Sequence, residues 1–599
     1  MLKKHKENRT EEKRSVVRGI GPTIKRIWSY LADQRSLMIL VLLMVVASSA
    51  LGLLGPFLIG WGIDEYFATE SADGFIWLLS CLAAVYVMHS LTLWLQSYWM
   101  IGIAQKTVYT MRRQLFNHFH KLSIDFFNKR QHGELMSRVT NDIENVSATL
   151  NSSVIQIFSS VLTLVGTLAV MIWLSPLLTL VTMIIVPLMF MGMKWITSRT
   201  GRLYKEQQRR LGEMNGYIEE TISGQKIIKS FSQEPKVIEE FRIKNQQLKE
   251  SGYWAQTFTG FIPKLMNMLN NLSFTIVAAV GGFFALKGYV TIGTIVIFSE
   301  YSRQFTRPLN DLSNQFNTLL SAVAGADRVF DIIDTEEEAV DEKGAKPLPN
   351  INGKVEFKDV SFSYERGGDT VSDLNFIAEP GQTIALVGPT GAGKSTIINL
   401  ISRFYEPNQG MILIDGHDST KITRESLRKQ MGFVLQDSFL FQGTIRENIR
   451  YGRLDATDEE VEKAAKAANA HSFIQRLPEG YDTVLSQDDA GISQGQKQLL
   501  SIARAILADP SILILDEATS SIDTITELKI QEALQHLLKG RTSFIIAHRL
   551  NTIKNAEQII VIESGQIIEK GNHDELLAQK GFYHDLYTSQ LEKRMLMNY

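Results

Sequence analysis

Up to about residue 330, long apolar runs alternate with amphipathic stretches, and beyond that point short apolar strands alternate with helical segments. A hydrocarbon core about 30 Å thick needs about 20 apolar residues of helix. Six stretches predict membrane spans, near Leu37–Gly60, Phe75–Met100, Val154–Leu174, Leu177–Ile196, Leu265–Leu286 and Ile292–Leu319, the last more polar than the rest. Orientation follows from charge, because cytoplasmic flanks collect Lys and Arg. The tail before the first span is rich in both. The loop from Asp64 to Asp73 has neither and carries Asp64, Glu65, Glu70 and Asp73, which places it outside. Gln105–Thr149 holds Lys106, Arg112, Arg113, Lys121, Lys129, Arg130 and Arg138, and a second basic segment separates spans four and five, so both are expected inside.

Each of these inner segments is amphipathic over about 45 to 65 residues, enough for helices to continue tens of ångströms beyond the bilayer at about 1.5 Å per residue. Breaks near Ser123–Asn128 and Thr221–Lys229 suit short transverse helices. Such hairpins either only cap the bundle or act as levers on the soluble domain. The outer links at Ser175–Pro176 and Lys287–Val290 predict tight turns. Before the first span, Ile24, Ile27, Trp28 and Leu31 recur at helical spacing beside Lys25 and Arg26, a pattern that fits either a membrane surface or a protein surface. Within the spans, Glu300 and Arg303 share a helix face. They form an internal ion pair or, with Asn267, Asn270 and Asn271 on span five, line a substrate path. Pro308 is placed to kink span six.

Composition narrows the picture. The 599 residues are 45% apolar and 21% charged, with a formal net charge of −2, which gives no bulk reason to expect nucleic acid. Cys81 is the sole cysteine, so no disulfide framework or cysteine metal site can form. The polar Met1–Arg18 tail lacks the apolar core of a signal peptide and reads as a solvated cytosolic segment. After Asp334, Glu336, Glu337, Glu338, Asp341, Pro347 and Pro349 mark a linker. The expected organisation is a tail and interfacial helix (1–36), a six-span domain (37–330), a linker (331–353) and an α/β domain (354–599).

The candidate chemistry lies in that last domain. Gly388-Pro389-Thr390-Gly391-Ala392-Gly393-Lys394-Ser395 follows the strand Ile384–Val387 and precedes a helical run from Thr396, the context a P-loop requires. Glycines let backbone N–H groups converge on phosphate, and the helix N-terminus adds partial positive charge. Lys394 is placed to reach the β- and γ-phosphates, and Ser395 to ligate Mg²⁺. The apolar strand Ile512–Leu515 ends in Asp516 and Glu517, positions suited to holding Mg²⁺ and polarising the attacking water.

With these motifs in order, the chain resembles the ABC transporter family, and the six spans extend the resemblance over its whole length. It implies an all-α six-helix transmembrane domain with long cytosolic helical extensions, plus an α/β P-loop nucleotide-binding domain of the ABC type, using ATP and Mg²⁺. Tyr364 looks like the aromatic that stacks on adenine, and Gln436 like the glutamine that contacts Mg²⁺ and water. Asp523 resembles the aspartate that communicates across a dimer, and His548 the histidine that holds the γ-phosphate. The family signature Leu-Ser-Gly-Gly-Gln reads here Ile492-Ser493-Gln494-Gly495-Gln496, and Asp489 stands near the place of an upstream glycine. Gln494 is expected to add bulk and restrict the backbone where a partner's nucleotide docks.

These departures are either tolerated drift in a homodimer or the mark of a subunit that pairs with a different half-transporter, as in heterodimeric bacterial multidrug exporters. The resemblance implies a multi-pass protein of the bacterial cell membrane, N-terminus and ATPase domain cytoplasmic, moving a hydrophobic or amphipathic substrate such as a drug-like compound or lipid. A homodimeric lipid or peptide exporter is the first alternative. An ATP-gated channel or regulatory membrane ATPase is an alternative of another class. Nucleic acid is not an expected partner.

Overall fold

The structure, a computed structural model, describes residues 20–67, 74–342, 344–348, 350–364, 370–435, 438–485, 491–516, 522–547 and 553–597. The chain divides into two compact units, one of residues 1–121 with 131–335 and the other of residues 122–130 with 336–599.

The first unit is helical. Its elements are α1 (Ile20–Ala32), α2 (Arg35–Gly62), α3 (Phe75–Phe119), then, beyond α4 (Ile124–Asn128) of the other unit, α5 (His132–Ser137), α6 (Ile143–Leu174), α7 (Pro176–Met183), α8 (Ile185–Ser223), α9 (Gln225–Ser230), α10 (Glu234–Leu286) and α11 (Ile292–Ile333). Four stretches among the described residues are long and apolar enough to cross a membrane: Arg35–Tyr66, Phe75–Phe119, His132–Leu174 and Glu234–Leu286. The remaining two expected spans differ for identifiable reasons. Over Leu177–Ile196, α7 and α8 meet at Ile184, three residues before Pro187, which has no N–H to offer the Met183 carbonyl, and the apolar helical stretch there, Pro176–Leu188, is shorter than the other four. The first eighteen residues of α11 hold Glu300, Arg303 and Arg307, which lower its apolarity. Pro308 lies inside α11, which continues through it.

Specific contacts fix the bundle. At one end, the Asp64 carboxylate accepts from the Gly293 amide at 2.7 Å and the Thr291 hydroxyl at 2.5 Å. There α2 and α11 approach so closely that a Cβ on Gly293 would lie 2.0 Å from the Gly60 carbonyl oxygen, so both positions need glycine. Deeper in, the buried Tyr301 hydroxyl donates to the Leu53 carbonyl at 2.7 Å. Toward the other end, Asp142, with its side chain 5% exposed, takes ion pairs from Arg138 and from Arg328 of α11. Helix α1 buries Ile27 and Leu31 and leaves Ile24 and Trp28 exposed. It is tied to the end of α11 by Thr23–Asp327 and Arg26–Asp334, and Arg26 stacks over Phe330. The protein-surface reading therefore holds for the face of Ile27 and Leu31.

Among the described residues, the second unit is built on three sheets. A four-stranded antiparallel sheet has the order β2 (Val371–Ala378), β1 (Val355–Phe362), β4 (Gln409–Ile414), β5 (His417–Asp418). A six-stranded sheet runs β12 (Gln566–Gly571), β11 (Gln558–Glu563), β3 (Thr383–Val387), β10 (Thr542–Ile546), β9 (Ile512–Asp516), β6 (Met431–Val434), with every neighbouring pair parallel except β11–β12. A short pair, β7 (Gly443–Thr444) and β8 (Val484–Leu485), completes the set. Strands β9 and β10 are almost wholly buried, which accounts for their continuous apolar sequence. The linker is clamped to this unit by Arg428 on Glu338 and by Arg403 and Arg424 on Asp341.

Candidate nucleotide site

In an open parallel sheet, ligands bind beyond the carboxyl ends of the strands. Strand β3 ends in the glycine-rich turn and leads into α12 (Lys394–Ile401). Gly388 has φ +156° and presses against β11, where a Cβ would lie 2.1 Å from the Ile562 carbonyl oxygen. Gly393, at φ +104°, has no room beside Val371. Only glycine lets the loop close this tightly. The Lys394 ammonium donates to the carbonyls of Gly388 and Pro389, each at 2.8 Å, so it is folded over the loop. Lys394 is only 8% exposed. Burial pulls its ammonium below the ordinary lysine range, and the nearby charge of Asp516 opposes that shift.

The sheet brings Asp516 to the same edge. Asp516 stands opposite Ile546 in β10, and Ile546 opposite Leu386 in β3, so the carboxylate is level with the chain two residues before Gly388. Two inter-strand steps separate them, about 10 Å. Ser395 is exposed at the start of α12, whereas Thr396 is buried with its hydroxyl accepting from Tyr364 at 3.3 Å. The exposed Ser395 hydroxyl and the Asp516 carboxylate are hard oxygen donors of the kind Mg²⁺ takes. Gln436, Glu517, His548 and Asp489 lie outside the described residues. The strands that precede the first three, β6, β9 and β10, end at this edge.

Ser493 caps α13 (Gln494–Ala508) through a reciprocal pair of bonds with Gln496: its hydroxyl accepts from the Gln496 amide at 3.3 Å, and the Gln496 side chain accepts from the Ser493 amide at 2.8 Å. Gly495 packs on α14 (Thr524–Leu538), where a Cβ would lie 2.5 Å from Thr526. Gln494 corrects one expectation. It is the first residue of α13, in ordinary right-handed backbone with an exposed side chain, so its substitution for glycine adds bulk without restricting the chain. Asp523 caps α14 by accepting from the Thr526 amide at 2.9 Å, and that bond holds its carboxyl below the usual range.

Sequence reasoning missed Tyr405. Its hydroxyl accepts from Asn128 of α4 at 3.2 Å and reaches Asp125 at 3.5 Å, and its ring meets Tyr364 edge-on at 4.9 Å. Tyr364 in turn bonds Thr396 and accepts from Asn399 at 3.1 Å, both on α12. A continuous polar and aromatic path thus joins α4 to the helix behind the glycine-rich turn. Burial raises the Tyr405 phenol, with the Asn128 bond opposing. A lone aromatic after a helix gives no local signal for such a role.

The residues expected along a substrate path lie in the first unit. Glu300 and Arg303 form an ion pair at 3.7 Å along α11, with side chains 45% and 53% exposed. Asn267 and Asn271 are exposed on α10, and Arg303 stacks 5.3 Å over Phe274 of that helix.

Comparison with known proteins places this geometry. Residues 38–309 match the ABC transporter transmembrane region, and residues 371–520 the ABC transporter domain. The chain is 65% identical to the uncharacterized ABC transporter ATP-binding protein YfiC of Bacillus subtilis (strain 168), over 97% of this chain and 96% of that one. It is 44% identical to a fatty acid ABC transporter ATP-binding/permease protein of Mycobacterium bovis (88% and 82% covered), and 37% identical to the putative multidrug export ATP-binding/permease protein YgaD of B. subtilis (95% and 99% covered). With a helical membrane region and a P-loop sheet in one polypeptide, the chain belongs to the ABC transporter family, as a membrane-integral half-transporter of the exporter type whose ATP hydrolysis is coupled to transport.

Proposed function

We propose that this chain exports a hydrophobic or amphipathic substrate, a drug-like compound or a lipid, as one half of a two-subunit exporter in a bacterial cell membrane, with all six long helical segments of its membrane domain crossing the bilayer. The observation that carries the reading is the convergence of Lys394, Ser395 and Asp516 at one sheet edge of a chain that also holds a membrane region. Gly388–Thr396 cradle the triphosphate of ATP, with Tyr364 near the base. Ser395, Asp516 and Gln436 would hold Mg²⁺, which when bound neutralises charge building on the phosphates. Glu517 polarises the attacking water and His548 steadies the terminal phosphate. Each role comes from the match of motif to position.

The second subunit is a further half-transporter whose nucleotide is covered by Ser493, Gln494, Gly495 and Gln496, with Asp523 beside the junction. Two features support a partner. The exposed Ile227 and Phe231 at the second cytosolic tip are apolar side chains that water does not favour. The Gln494 side chain adds bulk at the start of α13, which favours an unlike partner over an identical one. Replacing Glu517 with Gln in the purified complex is expected to preserve nucleotide binding and lower ATPase turnover at least about 100-fold. Lys394→Ala is expected to lose binding as well. An unchanged rate in E517Q rejects the assigned base.

A further inference from the structure

We propose that the polar path between α10 and α11 is built for an amphiphile with an anionic head, an inference that rests on the export reading and adds the sign of the cargo's charge. On α11, Glu300, Arg303 and Arg307 stand three and four residues apart and share one stripe; on α10, Lys264, Asn267, Asn271 and Phe274 do the same. The stripes meet where the Arg303 guanidinium lies over Phe274. A hydrogen bond between the Ser273 and Ser302 hydroxyls at 2.5 Å, and the packing of Ile295 on Gly281, set the antiparallel register, which brings Asn267 near the level of Arg307.

Charge along this path is unbalanced. Lys264, Arg303 and Arg307 are exposed cations, and Glu300 is the one acid among them. Its 3.7 Å approach to Arg303 is too long for a hydrogen bond, which leaves guanidinium donors available. Arg307 has no ion-pair partner among the described residues. Asp311, the next acid along α11, turns to α6, where its carboxylate accepts from the Gln156 amide at 2.8 Å. Even with Asp311 counted, cations outnumber acids. Arg303 lies about 16 Å along α11 from Ile292, near the middle of a core about 30 Å thick. A cation at that depth persists where water, a protein group or cargo meets it. Met268 and Leu272 present exposed apolar surface beside the stripe, and Phe274 within it. An anionic head would take charge-assisted bonds from Arg303 and Arg307 while its tail lies on these side chains. A cationic head would meet net repulsion.

The test uses the full complex in nanodiscs of uncharged lipid, with ATPase stimulation read for three twelve-carbon probes: dodecanoate, dodecanol and dodecyltrimethylammonium. Half-maximal concentrations are compared within each protein, so a change in basal turnover cancels. Wild type is expected to respond to dodecanoate at a concentration at least about tenfold below that of the cation. The double variant R303Q/R307Q should lose that preference, and R303E/R307E should reverse it. Should a variant fail to assemble, competition of the three probes against radiolabelled dodecanoate on wild type gives the same answer. Equal response to anion and cation, or a preference that survives both variants, overturns the proposal. ATP-driven uptake of an uncharged dye reports the export reading separately, so loss of charge selectivity alone leaves that reading standing.

Discussion

The two tips at which the long helices of the membrane domain reverse are similar in sequence character and opposite in structure. Helix α4 of the first tip belongs to the nucleotide-binding unit of its own chain, with Asp125 and Asn128 on Tyr405 and Phe126 buried. Helix α9 of the second tip stays with the membrane unit and leaves Ile227 62% and Phe231 70% exposed. One polypeptide completes the first junction, while the second offers an apolar face that water penalises by about 25 cal/mol for each Å². The difference teaches that one tip is completed within its own chain, while the other keeps an apolar face that the proposed second subunit would cover. The nucleotide-binding unit carries exposed Phe439, Phe441, Tyr451 and Leu454, an apolar surface that suits the second tip of the subunit proposed above.

Substitutions that separate the two tips break or sharpen this contrast. The double change Ile227→Asp and Phe231→Asp is expected to have the largest effect, lowering the ATPase rate of the assembled complex at least about tenfold by removing apolar anchors from an interface. Gel filtration should show the subunits apart while each retains its thermal transition; an intact complex at full rate removes the second tip from the interface. At the first tip, Tyr405→Phe deletes two hydrogen bonds worth about 1 kcal/mol each. The expected outcome is a several-fold loss of substrate-stimulated ATPase with subunit pairing unchanged, measured on the same preparation. If pairing fails instead, the two junctions are not separable.

A smaller effect tests whether the partner is alike. With one strong and one weak site, Gln494→Gly should about double the ATPase rate, from one competent site to two. An unchanged rate favours an identical partner with a tolerated substitution. The smallest effect is on pH. Burial lowers the Lys394 pKa below its ordinary 10.5, while a bound polyphosphate favours the ammonium and raises it. Nucleotide binding therefore takes up a proton where the pH lies between the two values, and affinity should fall as pH rises through the lowered one. Calorimetry in buffers of different ionisation enthalpy reads that uptake directly; no buffer dependence in the alkaline range contradicts it.

What was legible in the sequence was local. A strand, a glycine-rich turn and a helix follow one another within twenty residues, so the Lys394 loop could be placed without knowing the sheet order. The short helices α4 and α9 fell where the amphipathic pattern broke. The path through Tyr405 was hidden because its partner Asn128 lies 277 residues away. The division at Ile184 had a signal in Pro187, but apolarity alone treats that segment as one span. Gln494 was misjudged because a glycine in a motif suggests unusual backbone, whereas here the position is simply the first turn of a helix.

The most direct test of the whole account is uptake into inside-out vesicles that carry the native complex. Addition of ATP should concentrate an amphipathic dye inside above its external level, and Glu517→Gln should remove that accumulation while nucleotide remains bound. Dye that merely equilibrates down its gradient, or accumulates equally with E517Q, contradicts a hydrolysis-driven exporter.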